Sequence, residues 1–138
     1  MKKITLLFIL FVLPLVFFAC KEDTELGKLT PIGFDKKTIE IPREGGTAVS
    51  TSKKTGWSIF SWYEYTENDT LHFHNELQEK NEQMFFKDTV SGDWYKMYKD
   101  GKKFSVELKP NTSEKERSLK VDLDGIGLLF EEITITQK

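Results

Sequence analysis

Two histidines, His72 and His74, stand two residues apart and are the only ones in the chain. If Leu71 to Asn75 is a strand, both project to one face with Glu76 following on that face, a three-ligand arrangement that would suit a divalent metal. The single cysteine lies far away at position 20 and there is no third histidine, so nothing else completes or supports the site. A metal-binding or hydrolytic centre at His72 and His74 is therefore the remote alternative to two solvated side chains. A second cluster, Trp62, Tyr63 and Tyr65, has a different chemistry, because exposed aromatic rings stack on the apolar C–H faces of sugars. An aromatic strand of this kind is also what a hydrophobic core uses. Catalysis calls for a nucleophile beside a base, or carboxylates paired across a cleft. Acids are plentiful here but scattered through turns and strand outer faces, so no catalytic residue and no cofactor is assigned, and a noncatalytic protein is expected.

Cys20 carries the strongest chemical signal. Lys2 and Lys3 precede an apolar run from Ile4 to Ala19, which ends at this one cysteine. A basic start, an apolar stretch somewhat short of a comfortable membrane span and a small residue before the cut make up a bacterial secretory signal. Pro14 further disfavours a permanent helix. Ala19 before Cys20 resembles a lipobox, departing from the common pattern at Phe17 and Phe18. The expectation is a lipoprotein: residues 1–19 a signal peptide, Cys20 the lipid-bearing first residue, and residues 20–31 a lipidated N-terminus and flexible tether. The acids Glu22, Asp23 and Glu25 directly after the cysteine resemble the surface-export signals of Bacteroidetes lipoproteins, the alternative being a solvated linker. Outer-membrane anchoring by lipid, facing the cell exterior, follows as the expected location.

Composition narrows the partners. Cleavage would take two lysines from a formal charge already at −2, and an acidic chain is a poor nucleic-acid binder. With one cysteine no intramolecular disulfide can form, so the exported domain must be held by its core. The length suits one domain, expected over residues 32–138.

Within that domain two-residue alternation dominates, which argues for antiparallel strands. Ile39 and Ile41 alternate with Glu40, and Arg43-Glu44-Gly45-Gly46 turns the chain into Thr47 to Ser52. Trp57 to Tyr65 is apolar on both parities, with Trp57, Ile59, Tyr63 and Tyr65 on one and Phe60 and Trp62 on the other. After Leu71 and Phe73 comes a polar stretch, Glu76 to Gln83, which reads as an insertion or short helix. Met84 to Phe86 and Trp94 to Tyr98 follow as short strands, and Asp100-Gly101 turns the second into Phe104, Val106 and Leu108. Leu119, Val121 and Leu123 alternate again, and Ile133 and Ile135 lie on the opposite parity from Leu128 and Phe130. If all four face the core, a β-bulge is required at Glu131 or Glu132. The fold class expected is all-β, an immunoglobulin-like β-sandwich of about seven or eight antiparallel strands, with an insertion around residues 60–90.

Three segments resemble the BACON domain family (Bacteroidetes-associated carbohydrate-binding, often N-terminal). They are "IEIPREGGTAVSTSKKTGWSI"; Gly92-Asp93-Trp94-Tyr95 followed by "KDGKKFSVELKPNTSEKERSLKVDL"; and the terminal "ITITQ". Asn111, Thr112 and Arg117 sit where the family carries its Asn-Thr turn and Arg, and Trp57 and Trp94 fall on positions where an aromatic fills the core. The resemblance implies a β-sandwich in an exported protein and a binding or spacer module, with carbohydrate as one ligand class and another surface protein as the alternative partner. It does not reach residues 60–90. Asp69-Thr70-Leu71 and Asp88-Thr89-Val90 resemble the short O-glycosylation motif of Bacteroidetes secreted proteins, which makes Thr70 and Thr89 candidate modification sites.

Overall fold

The structure, a computed structural model, describes residues 30–125 and 129–138. The signal peptide, Cys20 and the acidic run expected before residue 30 lie outside the described residues, as does Leu128. Eleven strands and no helix are found among the described residues. They are β1 (Thr38–Ile41), β2 (Gly46–Thr51), β3 (Ser58–Tyr65), β4 (Thr70–His74), β5 (Leu77–Lys80), β6 (Gln83–Phe86), β7 (Thr89–Ser91), β8 (Tyr95–Asp100), β9 (Lys103–Leu108), β10 (Arg117–Gly125) and β11 (Leu129–Gln137).

Two sheets form the sandwich, a five-stranded one ordered β1-β11-β10-β3-β4 and a four-stranded one ordered β2-β9-β8-β7. β1 lies parallel to β11, and every other pairing is antiparallel. The segregation of β11, β10 and β3 from β2, β9 and β8 is that of the G-F-C and B-E-D strands of an immunoglobulin-type sandwich. β5 and β6 pair only with each other, as a separate hairpin.

Alternation decides what the sheets bury. Phe104, Val106 and Leu108 of β9 meet Leu119, Val121 and Leu123 of β10 and Ile133 and Ile135 of β11, all buried between the layers. Trp57 sits among them, its ring 5.0 Å from Phe34 and 6.4 Å from Phe104 in edge contacts, while its Nε1 donates to Ser52 Oγ at 2.9 Å. Apolar burial at ~25 cal/mol per Å² is what a chain without disulfides must rely on. Turns supply the remaining geometry. Gly101 takes φ +58 between β8 and β9, and Gly45 takes φ +86 where an added Cβ would lie 2.4 Å from the Leu108 carbonyl oxygen.

Three expectations are corrected. Eleven short strands replace seven or eight, and the region from Thr70 to Ser91 holds four of them, among which β5 and β7 were not expected. Of the two readings of Glu76 to Gln83, an insertion or a short helix, the helix is overturned: the stretch enters a separate hairpin in which β5 and β6 turn through Asn81 and Glu82, whose φ values of 53 and 62 suit a two-residue turn. The bulge lies not at Glu131 or Glu132 but in β3, where Asp122 faces Ser61 and the adjacent Leu123 faces Ile59, leaving Phe60 as the extra residue. Pairing of β10 with β11 runs unbroken, so Phe130 points outward and Glu131 inward. The buried Glu131 carboxylate is satisfied by the amides of Gly33 at 2.9 Å and Phe34 at 3.3 Å, 98 and 97 residues earlier in the chain.

Candidate functional site

The bulge in β3 determines which aromatic faces which way. Before it Ile59 points into the core; after it Trp62 and Glu64 do, and Phe60, Tyr63 and Tyr65 are left on the outer face. The β3–β4 register then sets His72 directly across from Tyr63, and His74 across from Ser61. The result is a continuous row of rings on the outside of the five-stranded sheet. Tyr65 stacks toward Tyr63 at 6.2 Å, and Tyr63 lies nearly parallel to His72 at 4.1 Å. His72 meets His74 at 4.3 Å, and His74 meets Phe60 at 6.0 Å. Phe60 closes the row against Phe86 at 5.6 Å and Phe130 at 5.3 Å. The rings of β3 are half-buried, while His72, His74 and Phe130 are exposed.

Polar groups flank the row on β10 and β11. Asp122 accepts from Ser61 Oγ at 3.0 Å, and Lys120, directly across from Tyr63, pairs with Glu132 at 3.7 Å. Rings beside hydrogen-bonding groups on one face can present both apolar and polar contacts to a ligand.

Of the three aromatics singled out for sugar stacking, Trp62 is not on this face. It is 6 % exposed, its ring stacked on Phe73 at 5.5 Å and edge-on to Tyr95 at 6.4 Å, because the bulge rotates it inward. It belongs to a buried network that joins the sheets. Trp62 Nε1 donates to Tyr95 Oη at 2.5 Å, Tyr95 Oη donates to Glu64 Oε1 at 2.5 Å, and Trp94 Nε1 donates to Glu64 Oε2 at 3.3 Å. The Arg117 guanidinium lies over the Trp94 ring at 4.3 Å. Burial of Tyr95, and then its bond to Glu64, pushes the phenol far above its ordinary range.

The histidines do share a face, but Glu76 does not join them. It is ion-paired with Lys87, which holds its carboxyl below the ordinary range. No group of three metal-ligating side chains converges among the described residues. Thr70 and Thr89 are both exposed at strand starts, and Asp69 Oδ1 accepts from the Thr70 amide at 2.8 Å. Asn111, Arg117 and Gln137 meet at one end of the sandwich. Gln137 Oε1 accepts from Arg117 Nε at 2.8 Å, and its Nε2 reaches the Pro42 and Lys109 carbonyls at 3.1 and 3.0 Å. Asn111 Nδ2 donates to the Lys115 carbonyl at 2.7 Å, so these residues brace turns.

Sequence reading missed Phe60, Phe86 and Phe130 as members of the outer row, and Glu64 as the acceptor at the core network. The β3–β4 hairpin closes on the four residues from Thr66 to Asp69, and a turn one residue shorter, centred on Asn68, would have set His72 against Glu64 instead of Tyr63, so neither this register nor the bulge at Phe60 was legible locally.

No family model matches the chain, and no curated protein matches it. Among solved structures it is similar to one titled as the NMR structure of a protein from Bacteroides thetaiotaomicron, with a TM-score of 0.59 and 19% identity over 86% of this chain and 96% of that one. At that identity the likeness speaks to the fold alone.

Proposed function

We propose that the chain is a noncatalytic outer-membrane lipoprotein that presents a single BACON-like module outward and binds glycan on the outer face of its five-stranded sheet. The observation that carries this reading is the unbroken ring row from Tyr65 through Tyr63, His72, His74 and Phe60 to Phe130. Along β3 it runs for about 17 Å, which suits an extended oligosaccharide better than one sugar. The exposed parts of these rings offer apolar surface to sugar C–H groups, and the Asp122, Lys120 and Glu132 side chains beside them suit hydroxyl groups. The sequence around Cys20 supports lipid anchoring.

Two measurements test the reading separately. Mass spectrometry of the N-terminal peptide should find Cys20 acylated, and unmodified Cys20 in the native host would remove the anchor. Affinity electrophoresis and glycan arrays should show binding that Tyr63→Ala and Tyr65→Ala abolish. If wild type and both variants are equally silent, the glycan half falls and a spacer or protein-docking role remains.

A further inference from the structure

The β5–β6 hairpin leaves the sandwich with its apolar side chains uncovered. Leu77 is 53% exposed, Met84 58% and Phe85 50%, all within ten residues. Single exposed hydrophobics are ordinary, but three on a projecting two-stranded ribbon are not. The ribbon is held firmly at its base. Asn75 Nδ2 donates to the Ile59 and Lys87 carbonyls, each at 2.8 Å, the Asn75 amide donates to the Phe60 carbonyl at 2.8 Å, and Phe86 packs against Phe60. A hairpin this short is marginal alone, so these ties set its direction.

That direction is shared with the start of the described chain. Thr30 is bound through its carbonyl by Lys54 Nζ at 2.8 Å, and Gly33 and Phe34 are fixed by Glu131. Lys54 stands in the turn just before Ser58, and Ser58 lines the open groove of about 620 Å³ that Leu77, Phe85 and Lys99 also line. Chain start and hairpin therefore occupy the same end of the sandwich. The β1–β2 turn at Glu44 occupies the other end, since β1 closes beside Gln137 and β2 opens beside Leu108.

Nine residues, and so ten Cα-to-Cα steps, separate Cys20 from Thr30. Fully extended they reach about 35 Å, and as a flexible coil about 18 Å. A lipid on Cys20 would hold this end near the bilayer, at a high effective concentration. We infer that the hairpin is a second, apolar contact with the bilayer to which Cys20 anchors the chain, an inference that rests on the lipoprotein reading proposed above. Within the hairpin and its base Lys80 and Lys87 are outnumbered by Glu76, Glu79, Glu82 and Asp88, so the hairpin itself offers anionic headgroups no net attraction, and Lys54 and Lys99 nearby are among the cations of this end. The contact is driven by Leu77 and Met84 on one face of the ribbon and Phe85 on the other, so the ribbon enters edge-on, and on an uncharged phosphatidylcholine surface it is indifferent to salt.

The test uses the full lipidated protein with Phe85→Trp, reconstituted in phosphatidylcholine vesicles with or without brominated acyl chains, read as the difference from the unsubstituted protein. Trp57, Trp62 and Trp94 are buried and serve as background. Emission added at position 85 should shift to the blue and be largely quenched by the bromolipid, with no change at high salt, while that of Glu44→Trp should not be quenched. Acylated Cys20 with emission from position 85 unquenched overturns the hairpin contact and leaves the anchor standing. Absence of lipid on Cys20 overturns both. Shielding of position 85 from aqueous iodide that grows with protein concentration, without bromolipid quenching, assigns the hairpin to a second copy of the chain and overturns the bilayer contact.

Discussion

Tyr95 Oη donates a 2.5 Å hydrogen bond to Glu64 Oε1, joining β8 of one sheet to β3 of the other through a carboxylate that is almost wholly buried. A buried carboxylate is tolerated only where donors surround it, and here the donors are Tyr95 and Trp94, with the Arg117 cation close by. Removing one partner should therefore cost more than an ordinary hydrogen bond. Tyr95→Phe should destabilise the domain by about 1–3 kcal/mol, and the double variant with Glu64→Gln should lose less than the two separate losses together. Urea denaturation of the four proteins checks this, and strict additivity would contradict it.

The same pair predicts an alkaline limb. The Tyr95 phenol is held neutral in the fold, first by burial and then by Glu64, so its folded value lies above its unfolded one. A raised value means that its contribution to stability is complete below about pH 10, where an unfolded tyrosine begins to ionise, and is lost as pH rises beyond. Ultraviolet titration should show one of the four tyrosines ionising late or only with unfolding. Tyr95→Phe should be less stable near neutrality, yet lack this part of the alkaline decline.

The bulge at Phe60 divides the aromatics of β3 into two kinds of residue. Trp62 is core, so Trp62→Ala should cost about 3–5 kcal/mol whatever the chain binds. Tyr63, on the outer face against His72, should cost far less when truncated, and should affect binding instead. Thermal denaturation alongside affinity electrophoresis separates the two, and a Tyr63→Ala protein as unstable as Trp62→Ala would make the outer row structural.

What the sequence disclosed and what it hid follow from the range of the interactions. Phe104, Val106 and Leu108, or Leu119, Val121 and Leu123, announce their strands because each is buried on one face only, which imprints a period of two. The bulge at Phe60 is set by which residue of β10 lies opposite, about sixty positions later, and no local pattern carries that. Glu131 is hidden for the same reason. A carboxylate reads as solvent-facing until the amides of Gly33 and Phe34 are known to meet it. At the outer row, Tyr63, Tyr65, His72 and His74 were visible as two separate candidates with two separate chemistries, and only the β3–β4 register makes them one surface.

Two glycines should respond oppositely to alanine. At Gly45 the backbone is left-handed and a Cβ would lie 2.4 Å from the Leu108 carbonyl oxygen, which belongs to backbone and cannot swing aside. Gly45→Ala should cost about 1–3 kcal/mol. At Gly56 φ lies outside the left-handed region and nothing lies within 4 Å, so alanine should be neutral or stabilise by ~0.4–1 kcal/mol through the unfolded chain. Paired melting curves decide it.

Glu131 provides the last test, because it connects the final strand to the segment that would lead to the anchor. Its two oxygens take the amides of Gly33 and Phe34, and Lys37 lies 3.9 Å from Oε2. Replacing it with alanine leaves the buried Phe34 amide and the half-buried Gly33 amide without their acceptors, a loss of about 1–3 kcal/mol. Glu131→Gln keeps the shape and an acceptor oxygen but offers one amide an NH₂ group, so it should fall between wild type and alanine. Hydrogen exchange gives a reading that global stability does not. In Glu131→Ala the amides of Gly33 and Phe34 should exchange much faster while those of Leu119 and Val121 in β10 remain protected. Uniform acceleration across β10 and β11 would instead mean that the carboxylate supports the whole sheet rather than the attachment of the N-terminal segment.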